Sequence, residues 1–449
     1  MDYRKIIKAL FDQGKIKGFE DMEVFIQKDK SLNLKVFKKE IDHFSRSDAG
    51  GLSFRGIYKG KMGYSYTEKI DVDSVELLIY EAIENSKVID SQDEEYIFEG
   101  SKEYKKINNF NEDLAKIEIE DKIDFLKNLE NHALGLDPRV DAVNYCSYGE
   151  EESYTFLVNT KGLDLENKSN MAYSYLSVVV KENDDIKTAY KYILANDFSK
   201  FDYKKLSKEA IEEALSLLGA KSIKSNEYPV VIRNNAFANI LKAFSPIFNG
   251  ENVEKGLSLL KNKINKEIAD QKITIVDDPF YKEGIASSFD GEGVATKYKK
   301  IVENGVLKTY LHNLKSAKNA KVVSTGNAYK GSYKGTVSIA PTNMYVEKGD
   351  KSLEEILKTM DEGLMIIDVQ GLHSGLNTVS GDFSLSATAY FIEKGKIKQP
   401  VNGITISGNF FELLKNIEEI GNDLFFTMPS AGAVGSPSIK VKKLSIAGE

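Results

Sequence analysis

The stretch EDMEVFIQKDKSLNLKVFKKEIDHFSRSDAGGLSFRGIYKGKMGYSYTE, residues 20–68, decides the fold class. Val24, Ile26, Leu32, Leu34 and Val36 alternate with polar or charged neighbours, and a period of two marks strands with one buried face. Gly50-Gly51 reads as a turn before LSFRGIYKG, and Gly60 as a turn between two further short strands. The stretch therefore predicts an antiparallel meander with one wet face. Before it, Ile6, Ile7, Leu10 and Phe11 recur at helical spacing. After it, DVDSVELLIYEAIENSK (71–87) predicts a helix capped by Asp71 or Asp73, with a buried stripe of Val75, Leu77, Leu78, Ala82 and Ile83.

Residues 90–117 are polar and weakly patterned, as in a linker or surface loop. A helix follows in IEIEDKIDFLKNLENHALG (117–135), stopped by Gly135. VDAVNYCSYG (140–149), ESYTFLVNT (152–160), AYSYLSVVVKEN (172–183) and IKTAYKYILAND (186–197) read as strands. A third helix, 203–219, carries Leu206, Ala210, Ala214, Leu215 and Leu218 and ends at Gly219. NEYPVVIRN (226–234) starts a new unit, with the main boundary near 220–228. Beyond it the sequence predicts helices at 235–244, 352–360 and 410–421, many short glycine-punctuated strands, and a closing strand in SPSIKVKKLSIAG (436–448). Helical and extended segments do not alternate regularly, so the expected class is α+β: a mixed N-terminal region with antiparallel sheets and a β-rich C-terminal domain with a few helices. The expected division is 1–105, 106–222 and 223–449.

Composition narrows the function. The chain has 449 residues, 41% hydrophobic and 29% charged, enough to bury a core. Lys plus Arg number 61 against 68 Asp plus Glu, a net charge of −7, which argues against nucleic-acid binding through bulk positive charge. One cysteine, Cys146, excludes an internal disulfide and a cysteine zinc cluster. The opening residues lack the apolar run of a secretory signal, and no run approaches the ~18–20 apolar residues of a membrane span. The expectation is a cytoplasmic chain without membrane contact. The histidines, His43, His132, His312 and His373, are far apart, so no histidine-pair zinc motif is present.

Several constellations can carry chemistry. Asp277-Asp278 before Pro279 fits a turn; adjacent carboxylates can also ligate a metal or share a proton. FDGEGVAT (289–296) places Asp290 and Glu292 between glycines, as a tight loop or a cation site. GLHSGLNTVSGDFSLSA (371–387) holds His373, Ser374, Asn377, Ser380, Gly381, Asp382, Phe383 and Ser384, compatible with a conformational role, peptide binding or catalysis. GNDLFFTMPSAGAVGSPS (421–438) reads as a surface loop or the lining of a cleft. His312 and Cys146 fit partly buried or core side chains better than catalysts.

The order of four segments, IVENGVLKTYLHN (301–313), STGNA (324–328), GLHSGLNTVSGDFS (371–384) and GSPSIKVKKLSIAG (435–448), resembles the TldD/PmbA family, and GGLSFRGIYKGKMGYSYT (50–67) fits its N-terminal part. The resemblance covers nearly the whole chain. It implies a two-subunit protease, in which the TldD-type subunit carries a His-Glu-x-x-x-His zinc motif and a further ligand near the C-terminus, whereas the PmbA or TldE type lacks the motif. In NILKAFSPIFNGENVEKG (239–256) the matching positions are Leu241, Lys242 and Pro246, and the C-terminal ligand position falls near Asp423. Leucine and proline cannot ligate zinc, and lysine is a poor general base in place of glutamate. The chain therefore resembles the PmbA/TldE type, with no catalytic or metal residue expected in it. His373, Ser374, Asn377, Gly381, Asp382 and Phe383 are candidates for the substrate cleft.

What the resemblance implies is a subunit that pairs with a zinc-bearing TldD-type partner and helps hold an unfolded peptide, in peptide maturation or antitoxin degradation. Its partners would be that subunit, the peptide and, when alone, a second copy. The alternatives are a homodimeric binding scaffold without a proteolytic role, and an independent hydrolase using His373, Asp382 or the acids of 277–292.

Overall fold

The computed structural model describes residues 3–88, 95–282 and 284–449. The first part of the 90–117 stretch, residues 90–94, lies outside the described residues.

Helix α1 (Tyr3–Lys17) buries Ile6, Ile7 and Leu10. It leads into the long hairpin of β1 (Phe19–Phe37) and β2 (Glu40–Tyr58), followed by β3 (Lys61–Thr67). The meander is present, but its turns are not where glycine suggested. Lys38 and Lys39 make the first turn, both at positive φ (52° and 68°), the backbone of a two-residue hairpin whose twist matches the strands. Lys59 and Gly60 make the second. Gly50 and Gly51 lie inside β2, opposite Lys28 and Gln27. The reason is distant: a Cβ on Gly51 would come within 2.1 Å of the Tyr333 ring.

Helix α2 (Val75–Val88) follows a 3-10 turn capped by Asp71, whose side chain accepts the Ser74 amide. Its buried side is Val75, Leu78, Ile79, Ala82 and Ser86, while Leu77 is 54% exposed. The expected stripe was rotated: 75, 78/79, 82 and 86 follow the helical period, and Leu77 falls off it. The short α3 (Glu112–Lys116) and the longer α4 (Ile119–Gly135) come next. They are followed by β4 (Val140–Asn159), β5 (Asp164–Glu182) and β6 (Asp185–Ala195), then α5 (Tyr203–Ser216), capped by Asp202. The runs expected as separate strands at 140–149 and 152–160 are one strand, because β1 pairs with it from end to end, Val36 with Cys146 through Glu23 with Asn159.

These strands form one antiparallel six-stranded sheet, in the order β3-β2-β1-β4-β5-β6. Helices α1 and α2 cover one end of it and α4 and α5 the other, each over its own apolar cluster. The opposite face is not simply wet, as the meander suggested. Phe25 and Leu157 pack against Tyr333, and C-terminal loops lie across the strands.

The C-terminal part holds two further six-stranded sheets. One has the order 396–409, 382–393, 362–370, β7 (Asn226–Ile232), 439–447, 417–420. Its Ile439–Ala447 strand is the expected closing strand. The other is built of short strands, among them Ile275–Asp277, Asn343–Val346 and Ala433–Ser436. Between them, α6 (Asn234–Phe244) buries Phe237, Ile240, Leu241 and Phe244, and Phe244 stacks on Phe410 at 4.4 Å. The helix expected at 410–421 stops at Lys415; Ile417–Ile420 is a strand paired with Ile439–Val441. The one at 352–360 is helical over Leu353–Leu357, closed by a Ser352/Glu355 capping box. Helices segregated from mostly antiparallel sheets make the fold α+β.

Candidate functional site

A cavity of about 1000 Å³ lies where the C-terminal loops cross the large sheet. Strand alternation supplies a polar floor, with Ser31 and Asn33 from β1, Glu151 and Ser153 from β4, and Ser169 and Tyr173 from β5. The wall is apolar and aromatic, made by Phe280, Tyr281, Tyr329 and Met428. Beside the floor, the Asp29 carboxylate accepts Ser153 Oγ (2.7 Å) and Gln27 Nε2 (2.8 Å). Burial pushes the Asp29 and Glu151 carboxyls above their ordinary values, and their mutual repulsion adds to the rise at Glu151.

The wall is fastened from two sides. Lys242 Nζ donates to the Met428 carbonyl at 2.8 Å, and Tyr192 Oη donates to the Phe426 carbonyl at 3.0 Å. Burial lowers the pKa of Lys242. On the far side of this strap is a second cavity, of about 780 Å³, lined by Tyr190, Glu213, Arg233, Asp368, Tyr390 and Phe425.

The positions matched to the metal motif fall in α6 and the turn after it. Leu241 is fully buried in the apolar core. Lys242 is engaged with Met428, and Pro246 is exposed in the turn Ser245–Phe248. Asp423 is not near them. Its carboxylate accepts the amide (2.9 Å) and hydroxyl (2.7 Å) of Ser438, and its carbonyl accepts Asn234 Nδ2 (2.8 Å). That places it at the start of α6, and eight residues of helix separate Asn234 from Lys242 by about 12 Å.

The glycine-rich stretch 371–384 is a loop closed on itself. Gly381 N donates to Asn377 O and Asn377 N to Asp382 O, each at 2.8 Å. The Asp382 carboxylate accepts Ser380 Oγ (2.8 Å) and Asn409 Nδ2 (2.9 Å), which hold its pKa below the ordinary value. Gly381 needs its glycine, with φ at +85°. Phe383 is buried, whereas His373, Ser374, Asn377 and Asp382 are exposed. The loop thus gathers Asn377, Ser380, Gly381 and Asp382, and none of these lines the large cavity.

The remaining candidates are structural in their contacts. Asp277 is fully buried and accepts Lys299 Nζ (2.9 Å), Asn327 Nδ2 (2.7 Å) and the amides of Thr342 and Asn343. Asp278 makes the turn, accepting the Phe280 amide at 2.9 Å. His312 is buried beside Ser316 Oγ (3.0 Å), and burial lowers its pKa, keeping it neutral. Cys146 is buried and its thiol is pushed up by burial, which makes it inert as a nucleophile. Asp290 accepts the amides of Glu292, Val294 and Ala328, so it organises its own loop.

Sequence reading missed Lys242 as a strap, the cavity floor, and a buried ionic cluster of Glu23, Arg55, Glu292 and Lys330. One signal for the cluster was present: Arg55 interrupts LSFRGIY, a run buried on both faces of β2.

Comparisons with known proteins agree with one another. The PmbA/TldA metallopeptidase domain 1 matches residues 22–86, the central domain 112–218, and the C-terminal domain 225–448. An uncharacterised protein of Methanocaldococcus jannaschii is 30% identical over 445 residues, covering 98% of this chain and 99% of that one. A metalloprotease PmbA homolog of Buchnera aphidicola is 26% identical, covering 90% and 88%. Among solved structures, a Thermotoga maritima protein described as a modulator of a DNA gyrase superposes with a TM-score of 0.91 at 33% identity, covering 99% of this chain and 100% of that one. The fold is also that of TldE from Thermococcus kodakarensis, with a TM-score of 0.89 at 24% identity and coverage of 99% and 100%. The chain belongs to the PmbA/TldD family of metallopeptidases.

Proposed function

We propose that this chain is the metal-free, TldE-type subunit of a two-subunit zinc protease, and that it holds unfolded peptide for a TldD-type partner. The observation that carries this reading is the donor set at the matched positions. Leu241 is packed in the core, Pro246 has no lone pair to give, and the Lys242 amine is spent on a main-chain carbonyl. Both Asp423 oxygens accept from Ser438 at the other end of the helix. A catalytic zinc takes three protein ligands and one open position, and these residues do not fit it.

The large cavity suits an extended peptide. Its floor offers polar side chains along strands, and its wall offers apolar area. The exposed His373, Ser374, Asn377 and Asp382 are proposed as further contacts to peptide or partner, on a loop shaped by Gly381 and Phe383. The zinc belongs to the partner in this reading, and the place of action is the cytoplasm.

Zinc analysis of the chain purified alone, without a metal-affinity tag, tests the reading. Zinc well below one per chain, with peptidase activity restored by adding a TldD-type subunit, is the expected result. Zinc near one per chain after dialysis, or peptidase activity of the chain alone, overturns it.

A further inference from the structure

A recess of about 350 Å³ at the seam of the large sheet and the C-terminal part is separate from the peptide cavity. It is lined by Arg55 and Tyr64 of the sheet and by Glu292, Leu314, Lys330 and Val337 of the C-terminal part. Its charged groups are incompletely matched. Arg55 Nε donates to Glu23 Oε1 at 2.7 Å, and Arg55 Nη1 stands 3.7 Å from Glu292 Oε1, beyond hydrogen-bond reach. Arg55 Nη2 and Glu23 Oε2 are buried with no hydrogen-bond partner among the described residues. The Arg55 and Glu23 side chains are only 9% and 2% exposed, so bulk water does not supply the missing partners. Burial works against the guanidinium charge, but Glu23 and Glu292 outweigh it and keep Arg55 a cation. Lys330 Nζ, beside it, donates to Ser53 Oγ at 3.0 Å and has further donors to give. Glu292 Oε2 accepts the Leu314 amide at 2.8 Å, which leaves Oε1 toward Arg55 with room for another donor.

Orphaned polar atoms in a protein interior call for an explanation, and an absent ligand is one of the few available. Of the two residues with orphaned atoms, Arg55 lines the recess and Glu23 does not; the acidic side of the recess is Glu292. A simple anion would meet Glu292, and also Glu95 and Glu251 at the mouth. A simple cation would meet Arg55 and Lys330. A molecule carrying both signs a few bonds apart meets neither objection.

We propose that this recess binds a free α-amino acid, its carboxylate on Arg55 and Lys330, its ammonium on Glu292, and an apolar side chain against Met62, Leu314 and Val337. The volume is at the small end of ligand pockets and suits one residue rather than a peptide. The site goes beyond the protease reading and does not depend on it, since ligand binding is read on this chain alone.

Thermal unfolding of the full chain with L-leucine or L-phenylalanine tests the site, with N-acetyl-L-leucine and L-leucinamide as probes that lack one charge each. The expected result is a saturable rise in Tm with a free amino acid and none with either blocked form. Val337→Trp, which fills the recess without changing its charges, abolishes the rise. Lys330→Met weakens binding at least tenfold by calorimetric titration, a second readout should Val337→Trp fold poorly. No rise with either amino acid, an equal rise with the blocked forms, or a rise that survives in both variants overturns the proposal.

Discussion

Two ion clusters join the large sheet to the C-terminal part, the one at Glu213 half-buried and the one at Glu23 buried, and they are finished to different degrees. At Glu213, both carboxylate oxygens are taken, by Lys191 Nζ (2.6 Å) and by Arg233 Nη1 (2.5 Å) and Nη2 (3.2 Å). Arg233 spends what remains on the Ile367 carbonyl (2.9 Å) and on Asn235 Oδ1 (2.6 Å). Burial alone would raise the Glu213 pKa, but the adjacent cations outweigh it and lower it. At Glu23 and Arg55, one oxygen and one nitrogen are left over. The Glu213 carboxylate is saturated on both oxygens, and the cluster fixes a position. The unsaturated one carries a standing cost that ligand or water must relieve.

The largest test of this contrast is Glu213→Ala. It strands Arg233 and Lys191 as half-buried cations without their counter-ion; breaking a buried pair costs about 3–5 kcal/mol, and the partial exposure here points to the lower end. Urea unfolding is expected to show a loss of that order, and a loss below about 1 kcal/mol would mean the cluster is not a rivet.

The next test uses pH at the unsaturated cluster. Burial and the neighbouring Arg55 lower Lys330 to about 7. The unfolded lysine binds a proton up to its ordinary 10.5, so between about 7 and 10.5 the unfolded state holds more protons and stability rises with pH. Asp290 is raised to about 7 by burial and by Glu292, against an ordinary 3.8. Its contribution is present below 3.8 and is lost as pH climbs to about 7. Lys330→Met is expected to flatten the alkaline limb of a Tm–pH profile, and Asp290→Asn the acidic one. An unchanged profile in either variant removes that group from the account.

A smaller effect is expected at the strap. Lys242→Met removes one charge-assisted hydrogen bond to Met428 and should cost about 1.5–3 kcal/mol at most. Faster amide exchange is expected around 426–430, where a purely helical role for Lys242 would leave exchange unchanged. Smallest is Glu251→Gln, which breaks an exposed i,i+4 pair with Lys255. Such pairs are worth about 0.3–0.5 kcal/mol, so a larger change in Tm would show that exposed pairs here behave like the buried ones.

Much of this architecture was legible in short-range pattern. The alternation through Val24 to Val36 fixed β1, and Asp71 caps the turn before α2, one of the two caps its sequence offered. The family was legible too, because its motifs are long. What escaped reading depends on contacts far along the chain. Gly50-Gly51 looks like a turn until Tyr333 is placed over it. Ile417–Ile420 looks helical until a strand from the chain's end pairs with it. The cavity floor is a set of ordinary strand residues until Phe280, Tyr281 and Lys282, residues 284–286 and residues 428–430 cover it. Arg55 gave a hint by its company, but its partners Glu23 and Glu292 are not neighbours in sequence.

The pairing of β1 with β4 sets a timetable for synthesis. Phe25 waits for Leu157, and Glu23 for Asn159. Until the ribosome has delivered those residues, the first hairpin stands with one flank of β1 unpaired. The interval is well over a hundred codons, during which an edge carrying Val24, Ile26, Leu32, Leu34 and Val36 is open to the wrong neighbour. Chains of this kind should depend on nascent-chain chaperones more than their finished stability suggests, and a stalled or truncated transcript ending before β4 should yield aggregate rather than a smaller folded protein.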